Sequence, residues 1–293
     1  MKHLIPFRIY ESQTTSGLTE GQKEFLNKYT RGTWSVNPTT GLVDIDGYFD
    51  CSGSKIKNFM GIQFGEVTRS FDCESNLLTS LEGSPRFVRG TFRCNNNSIT
   101  SLEGSPQTVG GDFLCSKNSL SSIKGAPRKV GEDFWCNDND IETLEGGPDI
   151  VGKDFECENN HLSSLKGSPK TIPGDFYCYG NPLLISLEGA PQTIDGIFFH
   201  DKIKMKKGEW NMRGWVEVLN TGSEKDKKLI LTLPWLQSDW WNLELQRDPG
   251  KTVHLLANVW NLIPKNMQSA IKIPKGYEDD FELFSGFNEL GLF

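Results

Sequence analysis

Between residues 49 and 199 the apolar side chains recur on a fixed ruler. Phenylalanine stands at Phe49, Phe71, Phe92, Phe113, Phe134, Phe155 and Phe176, and two residues after each comes a cysteine, from Cys51 and Cys73 to Cys178. The first spacing is 22 residues and the next five are 21. Apolar residues at i and i+2 form one face of a short strand. Each strand is followed by a second apolar pair, such as Ile99 and Leu102 or Leu120 and Ile123. Then come punctuation of the Gly104-Ser105-Pro106 kind, a single valine or isoleucine such as Val109 or Val130, and a Gly-rich turn. About five apolar side chains per period cannot enclose a core alone, so successive periods must stack. The pattern predicts an α+β protein built on a β-solenoid of about seven rungs, with extended chain and turns, not helices, on the return side.

A second row runs beside the first. Asn76, Asn97, Asn118, Asn139, Asn160 and Asn181 each follow a cysteine by three residues. A side-chain amide both donates and accepts, so this row is suited to satisfying backbone groups where each strand turns away. The first period, residues 49–70, is degenerate and lacks the Asn and the Pro. The last carries one extra residue near Leu184 and places His200 where an eighth cysteine would fall.

The flanks break the ruler. Residues 18–30 predict an amphipathic helix, with Thr19 and Gln22 spaced as a capping box and Phe25 and Leu26 facing inward. Thr33–Val36 and Gly41–Asp46 predict two strands across an Asn37-Pro38-Thr39-Thr40 turn. Together they cap the first rung, an end that would otherwise be an open edge. Beyond residue 200 the texture changes: six of the eight tryptophans lie there, with helical patterns at 209–220, 224–233, 238–246 and 251–262. The expected organisation is therefore a peptide and linker at 1–17, a cap at 18–48, the solenoid at 49–199 and a small, mostly helical domain at 200–293 packed on the last rung.

The Phe92-Arg93-Cys94-Asn95-Asn96-Asn97-Ser98-Ile99 segment and its counterparts resemble the leucine-rich repeat, with two apolar positions flanking one residue, two variable residues, Asn, and further apolar positions. Phe and Cys stand where Leu is usual. The resemblance covers residues 71 to about 197 and implies a non-enzymatic protein that engages a protein partner. The Gly-Asp-Phe-x-Cys-x-x-Asn rungs and Ser-Leu-Glu-Gly-Ser-Pro returns also look like the leucine-rich-repeat proteins of large tailed bacteriophages. Residues 1–11, MKHLIPFRIYE, resemble the capsid-targeting peptides of internal proteins in T-even-like phages. Such peptides are cut after an apolar-x-Glu sequence, here between Glu11 and Ser12. The alternative this implies is an internal or structural virion protein whose repeats act as a rigid spacer.

Composition narrows the chemistry. The formal charge of −7 arises wholly before residue 200, because the remainder carries 13 basic and 13 acidic residues. No basic stripe marks a nucleic-acid surface, and no apolar run approaches the length of a membrane span. The first residues lack the apolar stretch of a secretory signal, so the expected setting is intracellular, with reduced thiols. The cysteines are expected to pack as small hydrophobes in a dry core, since paired zinc-ligand spacing is absent. No cofactor is expected. The segment beyond residue 200 has no cysteine and no nucleophile elbow or phosphate loop, and its His254, inside an apolar stretch, reads as a core histidine.

The functional expectation falls on the strand face. Strand side chains alternate, so the residues between and beside Phe and Cys face away from the core. A solvated face has no need of Trp135, Tyr177 and Tyr179, and aromatics with Arg dominate interface hot spots. The predicted partner-binding patch is Arg93, Leu114, Trp135, Tyr177 and Tyr179. Just before the strand phenylalanine, Asp112, Asp133, Asp154 and Asp175 form a row of like charges, with capping of the turns as the expected task and Ca²⁺ as the rival one. The closing stretch from Tyr277 to Phe293 alternates acids with aromatics and is expected to dock on its own domain through the phenylalanines.

Overall fold

The structure, a computed structural model, describes residues 17–202, 204–205, 210, 212–233, 236 and 238–282. The peptide 1–11, its Glu11–Ser12 junction and the end of the chain beyond residue 282 lie outside the described residues. Residues 43–199 form a parallel β-solenoid of about seven turns. The strand phenylalanines, cysteines, Leu/Ile pairs and Val/Ile residues named above are all buried and make one continuous core.

Each turn contributes two very short strands a corner apart. The first column consists of Phe71–Asp72, Phe92–Arg93, Phe113–Leu114, Phe134–Trp135, Phe155–Glu156, Phe176–Tyr177 and Phe198–Phe199, all parallel and in register. The second column runs from Phe64–Val67 through Phe87–Val88, Thr108–Val109 and Lys129–Val130 to Ile150–Val151. This column was expected only as extended chain. It forms because a lone Val or Ile per period, stacked on itself, aligns the backbone around it for pairing.

In-register stacking sets like on like along the axis. Ring centroids of successive phenylalanines are 4.7 Å apart for Phe49–Phe71 and 5.4 Å for Phe92–Phe113, with planes within 14°. The thiols do not pair with one another. Each is free and buried, and Cys73 donates its S–H to the carbonyl of Arg93 at 3.1 Å, Cys115 to that of Trp135 at 3.2 Å. A cysteine thus fills a Leu-sized place while its weak donor finds an acceptor on the next rung.

The asparagine row performs the backbone task its chemistry suits. Asn118 Nδ2 donates to the carbonyls of Cys94, Cys115 and Ser116 at 3.0–3.3 Å, and its Oδ1 accepts the Ile99 N–H at 3.0 Å. The same set recurs at Asn97, Asn139, Asn160 and Asn181. Where the chain turns toward the second column, Gly104 adopts φ +90°, and the glycines at 83, 125, 146, 167 and 189 share that left-handed geometry. Side chains are strained in this region, which is why the period cannot drop its glycine.

The second column is interrupted once. Arg89, Gly110, Gly131 and Gly152 donate their N–H groups to the carbonyls of Val67, Val88, Val109 and Val130. The next residue in that series is Pro173, which has no N–H to give. Lys170, too, gives no N–H to the Asp149 carbonyl, and Thr171–Ile172 pairs only with Thr193–Ile194, as a separate two-stranded sheet. The break opens a cleft of about 830 Å³ between residues 145–151 and 167–173.

At the N-terminal end, helix α1 (Glu20–Tyr29) starts from the expected capping box: Thr19 Oγ1 accepts the Gln22 N–H and Gln22 Oε1 accepts the Thr19 N–H. Phe25 and Leu26 are buried, and the Phe25 ring lies 5.8 Å from Phe49. Strand β1 (Thr30–Val36) pairs antiparallel with β2 (Val43–Asp50). The other edge of β2 pairs first with Phe64–Val67 and then with Phe71–Asp72. One strand therefore starts both columns, and the cap is continuous with the solenoid.

At the other end, Lys204–Met205 adds an antiparallel strand to Phe198–Phe199. Helices α2 (Met212–Thr221), α3 (Glu224–Ile230), α4 (Ser238–Arg247) and α5 (Pro249–Val259) follow the four predicted segments, and α6 (Lys265–Gln268) is an addition. Residues flanking these helices pack on the last turn. The Trp210 ring lies 4.2 Å from Phe198, and its Nε1 donates to the Pro191 carbonyl at 3.0 Å. Thr232 Oγ1 accepts the Leu187 N–H at 2.7 Å. His200 occupies the eighth cysteine place, 2% exposed. Its Nδ1 accepts from the Lys202 N–H, which leaves Nε2 to donate to the Leu184 carbonyl; burial lowers its pKa and favours this neutral form. The expected docking of the tail holds for its described part, where Phe281 packs edge-on against Trp260 at 4.9 Å.

Candidate functional site

The outward face of the first column presents two residues per rung. The position between Phe and Cys reads Asp72, Arg93, Leu114, Trp135, Glu156 and Tyr177, all half-buried. The position after Cys reads Glu74, Asn95, Ser116, Asn137, Glu158 and Tyr179, of which Ser116 and Glu158 are buried. They are buried without entering the core, because neighbouring rungs cover them. Ser116, for example, donates its hydroxyl to Asn137 Oδ1.

Arg93, Leu114, Trp135, Tyr177 and Tyr179 all lie on this face, but in two groups. Arg93 and Leu114 are register partners, as are Leu114 and Trp135. Glu156 then stands between Trp135 and Tyr177, which are two strand spacings apart, about 10 Å. Arg93 is already in reach of a carboxylate, Asp72 at 3.9 Å. Tyr179 packs against Phe199 at 4.8 Å, and Tyr177 approaches the same ring edge-on at 6.2 Å. Phe199 was not among the predicted residues, yet it extends the aromatic end of the face by one rung.

What the expected patch omits is its acid. Burial raises the Glu156 carboxyl to about 7, helped by Glu158, Asp154, Asp133 and Asp175. Glu158 is raised as well, by burial and by Asp138. Burial, an accepting Asp175 and further carboxylates push the Tyr177 hydroxyl up. Lys153, which opposes the shift at Asp133, is itself paired with Glu132 at 3.2 Å. Three buried polar atoms on this face have no hydrogen-bond partner: Oδ1 of Asn95, Nε1 of Trp135 and Oε2 of Glu158. A signal existed in the sequence, since two glutamates share one rung beside two tyrosines on the next, but alternation alone reads them as solvated.

The aspartate row is occupied by backbone. Oδ1 of Asp112 accepts the N–H of Asp133, Asp133 that of Asp154, and Asp154 that of Asp175, at 2.7–3.2 Å. The last, Asp175, accepts the Ile197 N–H and also the Tyr177 hydroxyl. Capping is thus the observed task, with the donor supplied by the next rung. Among the described residues no three His, Cys, Asp or Glu side chains gather as a metal set. Burial raises the pKa of every cysteine thiol, which suppresses the reactive thiolate.

The C-terminal helices hold a second, smaller cleft of about 410 Å³ between α2, α4 and α5, lined by Trp240, Glu244, Asp248, Thr252 and His254 among others. Here the expectation of a core histidine is corrected: His254 is exposed at the cleft rim. The apolar stretch around it is helical, and its own position points away from the buried stripe of Val253, Leu255, Leu256 and Val259. The Thr252 hydroxyl donates to the Asp248 carbonyl at 2.7 Å, so it is engaged in holding the start of α5.

These features define a repeat protein of the parallel β-solenoid class, with a half-exposed aromatic and acidic strand face. No protein-family model, curated protein or solved structure matches the chain. Among the described residues no helix is long and apolar enough to cross a membrane.

Proposed function

We propose that this is a non-enzymatic, intracellular protein of the leucine-rich-repeat type, encoded by a large tailed phage, that binds a protein partner through the first-column strand face. The observation that carries the reading is Trp135, whose ring is half-exposed on the strand face two rungs from the half-buried Tyr177 and Tyr179. Ordered aromatic rings with exposed surface are what an interface core uses. Tyr177, Tyr179 and Phe199 supply further ring surface within two to three rungs. The inert thiols and the engaged Thr252 hydroxyl support the non-enzymatic part. The repeat type and the phage origin rest on the resemblances of the rungs and of residues 1–11.

The test compares wild type with Trp135→Ala, both shown folded by circular dichroism, as immobilised baits in lysate of the producing cells. The expected result is a protein retained by wild type and reduced at least tenfold on the variant. Equal retention by both would refute the assignment of the face.

A further inference from the structure

The charge of the strand face is not spread evenly. Asp72 faces Arg93 at one end, whereas the rungs from Trp135 to Phe199 gather Glu156, Glu158, Asp133, Asp154 and Asp175 beside four aromatic rings. Most of these acids have internal uses. Asp133, Asp154 and Asp175 accept backbone N–H groups. Glu158 is different: it is 7% exposed and its Oε2 has no donor. A buried carboxylate oxygen left without a donor is stabilised when one, above all a cationic one, is brought to it.

Taking this face as the binding surface, as above, we infer that its partner is a polypeptide segment carrying arginine, whose guanidinium group reaches Glu156 and Glu158 and stacks against Tyr177 and Tyr179. Two observations select this class. The carboxylates call for a cation. The adjacent tyrosines offer ring faces, on which a planar guanidinium stacks better than an ammonium.

The test is fluorescence anisotropy with full-length protein and labelled peptides of alternating Gly and Arg, Gly and Lys, and Gly and Glu, with spermine as competitor. The Arg peptide is expected to bind at least tenfold more tightly than the Lys peptide, with no binding by the Glu peptide. Glu158→Gln and the half-exposed Tyr179→Leu should each weaken it at least fivefold, while Glu103→Gln and Glu145→Gln, acids on the return turns, leave it unchanged. Equal binding of Arg and Lys peptides, displacement by spermine at equal charge concentration, or equal loss in the control variants would overturn the inference. Failure of the Arg peptide, with Trp135→Ala still abolishing capture of the cellular partner, would refute the arginine assignment and leave the binding face standing. Failure of both would refute the face itself.

Discussion

Replacing Asn139 with alanine tests whether the amide row, and not the apolar stack alone, holds the turns in register. Asn139 Oδ1 is the acceptor for the Leu120 N–H at 3.1 Å, and Nδ2 donates to the carbonyls of Cys115, Cys136 and Asn137 at 3.1–3.2 Å. The consequences differ by atom. The Cys115 carbonyl keeps a bond from Asn118, and that of Cys136 keeps one from Asn160. The Leu120 N–H has no such reserve and becomes an orphaned donor in a dry place. An orphaned buried donor costs about 1–3 kcal/mol, and each bond lost from a carbonyl that keeps another adds up to about 1 kcal/mol. The expected loss is about 2–5 kcal/mol, equivalent to roughly 10 °C in Tm for a unit of this size. Urea titration followed by circular dichroism measures it, with thermal melting as a check. Asn139→Asp keeps the acceptor but aims a carboxylate at three carbonyls, so it should be worse at pH 8 than at pH 4. A loss below about 1 kcal/mol for the alanine variant would show that the row is dispensable and that apolar stacking sets the register.

The glycine corner makes a second prediction. A Cβ on Gly131 would lie 2.0 Å from the Gly110 carbonyl oxygen, so Gly131→Ala should destabilise by about 3 kcal/mol or more. Gly17→Ala, with open space around it, should stay within about 0.5 kcal/mol; matching effects from chemical denaturation would refute the close approach. The third concerns pH. The folded Glu156 carboxyl, at about 7 against 4.5 for the ordinary group, binds a proton that the unfolded chain has released. Its contribution to stability therefore falls as pH rises from about 4.5 to 7. Glu156→Gln should remove that slope and be more stable than wild type at pH 8, by about 1 kcal/mol once solvent screening of this part-exposed group is allowed for. Denaturation midpoints at pH 5 and 8 check it, and a wild-type curve that the substitution leaves unchanged would contradict the burial of Glu156.

The repeat was legible because it is written in covalent order. Phe92, Cys94, Asn97, Ile99 and Leu102 recur at fixed offsets, and a period of 21 leaves stacking as the one way to bury such a row. The capping box at Thr19 and Gln22, and the positions of the later helices, depend on local spacing and were legible for the same reason. Other features rest on what neighbouring rungs do to each other. Glu158 and Ser116 occupy outward positions yet are buried, since the covering atoms lie one period away. His254 sits in an apolar stretch yet is exposed, because only the packing of α2 and α4 against α5 chooses which stripe faces inward. Pro173 is a single unremarked letter until the ladder is drawn, when its missing N–H is seen to fall where the second column parts beside a cleft. Sequence spacing determines which residues share a row. Only the tertiary structure decides how much solvent each one keeps, and solvent is what makes Glu156 and Glu158 a candidate binding site.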